Sequence, residues 1–300
     1  MLEFRYSNKP IYYLSVILYF LFLSLILYKY RKEKLVQVIQ RKLNSDQLRL
    51  LHVLYSFRFG TRSLIASYLN KPNNTSLYSR IKILEKYGYL SKRYESSYKL
   101  AGREAEFYIT HKGALILRDA ELIEATDTEL LSVYKDKDVS DAYVQQLTLL
   151  FNIRNLLTSK YELQWFTGRD IKPLDYFPKN RPVAFISLKT KNKVIRCFVE
   201  YVPIGTSISA IRGKLKHYSA YYQQDAWGIT ETPFPKIIYI AEDGMTEQGI
   251  RYHIKKEMYR VDTDIEYFTA TKKTIFNLDI SDKIWTSIDD SNAGLSLEDI

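Results

Sequence analysis

The segment of residues 11–28 constrains the fold most, because it is the longest uncharged run in the chain. Its sequence, IYYLSVILYFLFLSLILY, is rich in Leu and Tyr. A helix of this length extends roughly 27 Å, close to the thickness of the bilayer hydrocarbon core. Tyrosines lie at both ends, and Lys29, Arg31, Lys32 and Lys34 follow the run. Aromatic ends and a basic flank are typical of a transmembrane helix with its basic side in the cytoplasm. We therefore predict a single-pass protein of the cell membrane, with residues 1–34 as anchor and basic flank and with cytoplasmic domains after them.

A short connector, residues 35–44, leads into a region with clear helical periodicity, residues 45–125. Apolar residues recur there at spacings of three and four, and Gly or Asn-Pro segments end each period. Three helices, the last two joined by a short turn, and then a β-hairpin make a winged helix-turn-helix. The predicted elements are helices at 46–59, 62–69 and about 75–87, and strands at about 90–95 and 104–110.

The third helix and the hairpin of this region hold a local excess of basic residues. Between residues 75 and 103 there are seven Lys or Arg and two Glu, in a chain whose net charge is +10. A winged helix can place its third helix in the major groove of DNA, with basic side chains on the phosphates. We therefore expect double-stranded DNA as the partner. The predicted DNA-binding residues are Asn74, Ser76, Tyr78, Ser79, Arg80, Lys82, Lys92, Arg93, Lys99 and Arg103.

Residues 138–277 are predicted to form an α/β domain. A long amphipathic helix at 138–160 is followed by strand-like runs at about 161–166, 182–188 and 194–202. A helix at about 207–224, a strand at 236–241, a helix at about 245–259 and a strand at about 265–270 complete the predicted order. The order α-β-β-β-α-β-α-β is also that of the restriction-endonuclease-like nuclease core. The last segment, residues 278–300, holds six acidic residues and one Lys. We expect it to be a mobile acidic tail.

Two stretches resemble the plasmid replication-relaxation family of winged-helix proteins from plasmids and conjugative elements. The first is LAGR at residues 100–103 with FYITHKGA at 107–114, which resembles the wing of that family and its Thr-x-x-Gly helix start. The second is VEYVPIGT at residues 199–206 with KLKHY at 214–218, which resembles a Glu-x-Asp-x-Gly-Thr strand end and the following helix. The resemblance implies a role in replication, relaxosome assembly or DNA transfer, with a relaxase or replication proteins as further partners.

The chain departs from that family where a nuclease would need carboxylates. Val183 stands in place of the Asp that commonly follows Pro, and Val202 stands in place of the second acidic residue after Glu200. Metal-assisted cleavage of a phosphodiester needs two or more converging carboxylates. Glu200 and Lys214 are therefore predicted as a remnant site, either a structural ion pair or a catalytic couple. The α/β domain is expected to be a degenerate restriction-endonuclease-like core without catalytic residues.

Other enzyme classes find little support in the composition. One Cys, Cys197, and four widely separated His residues exclude a disulfide and any Cys-based zinc site. Cys197 is interpreted as a buried small hydrophobe, and no cofactor or metal ligand set is predicted. Three functions remain. The first is a membrane-anchored, non-catalytic DNA-binding protein of a plasmid or conjugative element. The alternatives are a membrane-bound transcription regulator and a metal-dependent nuclease.

Overall fold

The computed structural model describes residues 43–278, 281–289 and 294–300 of the chain. Residues Gln47–Ile300 form one compact unit. Its first part has the predicted winged-helix order of elements, with most bounds within two residues of those expected. The elements are α1 (Ser45–Phe57), β1 (Phe59–Thr61), α2 (Arg62–Tyr68), α3 (Thr75–Lys86), β2 (Leu90–Arg93), α4 (Ser96–Leu100), β3 (Glu106–Ile109) and α5 (His111–Asp119).

The three helices and the hairpin of the winged helix share one small core. β3 lies between β1 and β2 and pairs antiparallel with both, so the hairpin continues a sheet that starts between α1 and α2. The apolar residues at helical spacing on α1 and α3 are those buried, for example Leu51, Leu54, Ile81 and Leu84. Amphipathic periodicity therefore determines which helix faces meet, because only these faces bury apolar surface.

The wing differs from the polar loop expected between the two strands, because it contains a short helix, α4. Tyr98 on α4 is buried, and its hydroxyl donates to Glu106 of β3 at 3.0 Å. Arg103 lies over the Tyr98 ring at 4.1 Å and pairs with Glu106 at 2.7 Å. The Tyr98 ring and the two charged side chains thus form a small packed cluster within the wing.

A linking segment of two short helices connects the winged helix to the α/β part. Helix α6 (Asp127–Ser132) starts with a capping box formed by Thr126 and Glu129, and a 3₁₀ helix, Val133–Asp138, follows it. Asp136 on the 3₁₀ helix is fully buried although it is charged.

The α/β part contains helices on both faces of a mixed sheet. Strands β5, β6, β7 and β8 and the helices between them lie within two residues of the predicted segments. The elements are α7 (Asp141–Lys160), β4 (Leu163–Thr167), β5 (Ala184–Lys189), β6 (Val194–Val202), α8 (Ile208–Gln223), β7 (Lys236–Ala241), α9 (Gly244–Arg260), β8 (Tyr267–Thr271), α10 (Lys272–Phe276), β9 (Trp285–Ser287) and β10 (Gly294–Leu295), with a 3₁₀ turn at Gly228–Thr230.

Within the described residues, seven strands form this sheet in the order β10-β9-β8-β7-β6-β5-β4. The three central strands β6, β7 and β8 are parallel, and the remaining pairs are antiparallel. Leu150, Ile153 and Leu157 of α7 pack on one face, and Leu215 of α8 with Ile254 of α9 packs on the other. Parallel strands covered on both faces explain the nearly continuous apolar sequences of β6 and β7.

Helix α7 also packs against the winged helix and thereby joins the two parts. The Phe151 ring stacks on Phe57 of α1 with centroids 4.1 Å apart, and it meets Tyr68 of α2 edge-on at 5.8 Å. The Asn155 amide donates to the carbonyl of Leu64 at 3.0 Å. One helix therefore buries side chains in both cores.

The prediction of a mobile acidic tail over residues 278–300 is wrong for its described residues. β9 and β10 extend the large sheet beyond β8. Trp285 and Leu297 are fully buried, and Ile300 is buried as well. The acidic residues dominate the composition of this segment, but the apolar residues between them dictate its packing. Burial of aromatic and aliphatic side chains stabilises this packed arrangement.

The predicted transmembrane helix, residues 11–28, lies outside the described residues, as do residues 1–34 as a whole and most of the connector 35–44. Among the helices that the structure describes, none combines the length and the apolar character needed to cross a bilayer. The predicted fold class, which began with a transmembrane helix, and the single-pass membrane localisation are corrected accordingly. The fold is an α/β structure in which a winged helix precedes a mixed sheet.

Candidate nucleic-acid interface

Asn74, predicted to contact DNA, has a structural role at the start of α3. Its side-chain oxygen accepts hydrogen bonds from the backbone N–H groups of Ser76 and Leu77, at 3.1 and 3.2 Å. An N-cap of this kind satisfies donors that the first turn of a helix leaves open. The cap explains why an Asn follows the turn, and it removes this oxygen from any base contact.

The exposed side of α3 presents an aromatic ring between two cations. The Tyr78 ring lies 4.6 Å from the Lys82 ammonium and 5.6 Å from the Arg62 guanidinium of α2. Ser76 and Ser79 are exposed on the same helix, and Arg80 is half-buried and has a partner within the structure. Cation–π contacts hold the two charges close together at the surface. Arg62 was absent from the predicted site, because it belongs to the preceding helix and is brought to α3 by the turn.

Three of the predicted DNA-binding residues on the hairpin are instead neutralised within the protein. Lys92 pairs with Glu85 of α3 at 2.8 Å. Arg93 pairs with Asp141 at the start of α7 and donates to the Val139 carbonyl at 2.8 Å. Arg103 pairs with Glu106, as described above. These contacts join the wing to α3, to the α/β part and to its own strand, and they hold Arg93 and Arg103 at the end of the strands where the wing begins.

Three exposed lysines on α3 and the wing have no carboxylate partner within the described residues. They are Lys82 and Lys86 on α3 and Lys99 on α4 of the wing. Leu100, next to Lys99, is 90% exposed at the end of the wing helix, and Tyr94 is also exposed. The positive surface predicted from the sequence is therefore narrower than expected, and consists of α3, the start of α2 and the end of the wing.

The structure brings the two residues of the predicted remnant site together. The Lys214 ammonium of α8 lies 2.9 Å from Oε1 of Glu200, which is buried on β6. The same oxygen accepts from the Tyr218 hydroxyl, and Lys214 also donates to the Arg181 carbonyl at 2.6 Å. Burial raises the pKa of Glu200, while the Lys214 charge and the Tyr218 hydrogen bond act in the opposite direction. The Tyr218 pKa lies well above its ordinary value because of burial and the nearby Glu200 charge.

This geometry is that of an internal ion pair between a strand and the helix that covers it. Val183 and Val202 provide no further oxygen ligand at these strand ends. Among the described residues, no group of three or more His, Cys, Asp and Glu side chains is arranged to hold a metal ion. Cys197 is fully buried in β6, and burial raises the pKa of its thiol to about 12, as expected for a small core residue.

The comparisons with known proteins add little to this geometry. No protein-family model matches the chain, and no curated protein sequence matches it. Among solved structures, the chain is similar to the restriction endonuclease FokI, with a TM-score of 0.33 and 9% identity. The alignment covers 85% of this chain and 46% of the FokI chain, so the chain spans about half the length of that protein. A likeness at this level supports no statement on function.

Proposed function

We propose that the winged helix binds double-stranded DNA through the exposed side of α3 and the end of the wing. The observation that carries this proposal is the distribution of paired and unpaired charge. The cations on and next to the strands of the hairpin have carboxylate partners, whereas Lys82, Lys86 and Lys99 have none within the described residues. Phosphate groups are the partners that such exposed cations would neutralise on DNA.

The arrangement also fits the usual docking of a winged helix. With α3 in the major groove, Ser76, Ser79 and Tyr78 face the base edges and sugars, and Lys82 and Lys86 flank them. Lys99 and the exposed Leu100 at the end of the wing would then reach the neighbouring backbone or minor groove. The resemblance to the replication-relaxation family favours the DNA of a plasmid or conjugative element, with a non-catalytic role in replication, relaxosome assembly or transfer.

The salt dependence of binding tests this proposal. Fluorescence anisotropy with a labelled duplex of about 30 base pairs gives the affinity over a range of salt concentrations. Replacing Lys82, Lys86 and Lys99 by Ala removes three phosphate contacts. Each contact contributes about 0.9 to the slope of log K against log salt, so the slope should become shallower by about 2.7.

A matched variant separates this effect from the loss of net charge. Lys191, Lys255 and Lys256 are exposed on the α/β part, and their replacement by Ala changes the total charge equally. We expect this control to keep the slope of the parent protein. Equal effects of the two triple variants, or no binding by the parent protein at low salt, would refute the proposed interface.

A further inference from the structure

A cleft of about 890 Å³ lies between the winged helix and the α/β part, away from the exposed side of α3. One wall is the end of α1, with Tyr55 and Arg58. The other walls are the start of α7, strand β4 and the loop after β4, which contains Arg169. The volume lies within the range of small-molecule sites, and such sites are common where two parts of a chain meet.

Two guanidinium groups that line this cleft share one carboxylate. Arg58 donates to Oδ1 of Asp136 from Nε at 3.1 Å and from a terminal nitrogen at 2.5 Å. Arg169 lies 3.4 Å from Oδ2 of the same carboxylate. Asp136 is fully buried and is not among the residues that line the cleft, whereas both arginines are. The cluster of Arg58, Arg169 and Asp136 therefore presents a net positive charge to the cleft.

The two guanidinium groups are held in position by their other contacts. Arg169 donates to the Tyr55 carbonyl at 2.6 Å, and Arg58 donates to the Tyr143 hydroxyl at 2.5 Å. Burial and the neighbouring Arg58 charge outweigh Asp136 and lower the pKa of Arg169. The two guanidinium groups share the single Asp136 carboxylate. An additional anion in the cleft would therefore stabilise their remaining positive charge.

The other charged residues of the lining form no ion pair with Arg58 or Arg169 within the described residues. Glu129 is paired with Lys172 at 2.8 Å. Asp170 accepts from the backbone and the hydroxyl of Thr167, at 2.7 and 2.8 Å. The remaining two are Glu124 and Lys135, which have opposite signs. Counted together with Asp136, the four cations and four carboxylates of the cleft balance, and the positive excess is confined to the two guanidinium groups, which share one carboxylate.

Aromatic side chains line the cleft next to the guanidinium groups. The Tyr55 ring lies 4.7 Å from the Arg169 guanidinium, and the Tyr143 ring lies 5.0 Å from that of Arg58. Trp165 and Phe166 of β4 are half-buried in the same lining. Trp165 packs against one core of the sheet and Phe166 against the other, so these two rings lie on opposite faces of β4. A ligand in the cleft would thus meet separate aromatic rings and two planar cations.

We infer that this cleft binds a nucleotide, with its phosphate on Arg58 and Arg169 and its base against the aromatic residues. Paired guanidinium groups match the geometry of phosphate oxygens, and every nucleobase has a face that stacks on aromatic rings. The ligand would contact the winged helix and the α/β part together. This inference does not depend on the proposed DNA binding, because none of the residues of that interface line the cleft.

Isothermal titration calorimetry with AMP, GMP, CMP and UMP on the full chain tests the inference. We expect at least one of them to bind with a Kd below about 1 mM. The matching nucleoside and inorganic phosphate, titrated separately, should each bind at least tenfold more weakly, because each retains only one half of the recognition. Trp165 provides a local probe, since its fluorescence should change on binding, and Trp165→Phe should remove that change.

Variants locate the site. Arg169→Gln should weaken the nucleotide at least tenfold, and Lys135→Ala, which leaves the buried group intact, should weaken it severalfold. Lys137→Ala is the matched control, because Lys137 lies two residues from Lys135 and outside the lining. This variant should bind the nucleotide with the affinity of the parent protein. The inference fails if no mononucleotide binds, if inorganic phosphate binds as tightly, or if Lys135→Ala and Lys137→Ala act alike. It also fails if a single-stranded oligonucleotide binds far more tightly at the same residues, which would make the cleft a strand-binding groove.

Discussion

Replacement of the Asp136 carboxylate by an amide, Asp136→Asn, tests the account of the buried charge cluster most directly. The substitution preserves shape and removes one negative charge between Arg58 and Arg169. The side chains of these arginines are only 23% and 17% exposed, and Asp136 is 0% exposed. Water reaches only the small part of each guanidinium group that borders the cleft and does not reach Asp136. Removal of one partner of such a buried ion pair costs about 3–5 kcal/mol.

Urea unfolding followed by circular dichroism measures this cost as a fall in the free energy of unfolding. For a chain of this size, the same loss lowers the melting temperature by roughly 6–20 °C. Asp138→Asn is the control, because Asp138 lies on the same 3₁₀ helix with its side chain 75% exposed and 3.9 Å from Lys137. Its replacement should change stability by less than about 0.5 kcal/mol.

A third variant distinguishes unpaired charge from general disruption. The triple replacement Arg58→Met, Asp136→Leu and Arg169→Met removes all charges of the cluster, so no buried charge is left without a partner. Apolar replacement of a whole buried ionic group is often neutral or stabilising. We therefore expect the triple variant to be more stable than Asp136→Asn. A loss below about 1 kcal/mol in Asp136→Asn, or a triple variant less stable than the single one, would refute the reasoning.

Two further predictions concern helices α5 and α8. A Cβ on Gly113 would lie 2.1 Å from the Tyr89 carbonyl oxygen, which is backbone and cannot turn aside; Gly113→Ala should therefore cost about 1–3 kcal/mol or more in urea unfolding. Gly213→Ala in α8 is its counterpart, because beyond its chain neighbours and the backbone of its own helix no atom lies within 4 Å of the added Cβ. It should stabilise by up to about 1 kcal/mol, and equal effects of both variants would contradict the packing described. Lys214→Met should be destabilising at pH 7.5 and less so at pH 5.5, because burial raises the pKa of Glu200 and the unpaired carboxylate is relieved by protonation as the pH falls. A loss independent of pH, measured by urea unfolding, would show that Glu200 is not charged without its partner.

The motifs that carry the family resemblance have a structural explanation in this chain. Thr110 caps α5 by accepting from the Gly113 N–H at 3.2 Å and donates to the Gly88 carbonyl at 2.7 Å. Gly205, in the second motif, has φ of +81°, which favours glycine. These residues were visible in the sequence because caps and tight turns require particular residue types at fixed spacing.

Local patterns in the sequence therefore determined the elements and their order. Helical and alternating periodicity placed α3, β6 and β7 within a residue or two, since each pattern arises from the geometry of its own segment. The prediction of a mobile tail for residues 278–300 is wrong, because it relied on the acidic composition and gave too little weight to the apolar residues between the charges. Whether Trp285 is buried depends on the neighbouring strand β8, which adjacent sequence cannot reveal.

Only the tertiary structure decided which charges are available. Arg93 and Asp141 are 48 residues apart in the sequence and form an ion pair, so a basic residue counted toward the DNA surface is neutralised within the protein. Arg58 and Arg169 are farther apart still, and they meet at Asp136 from a third segment. The sequence by itself determines the local conformation and the total charge of this protein. The folded chain determines which cations are neutralised, because ion pairing depends on distances of a few ångströms between segments remote in sequence.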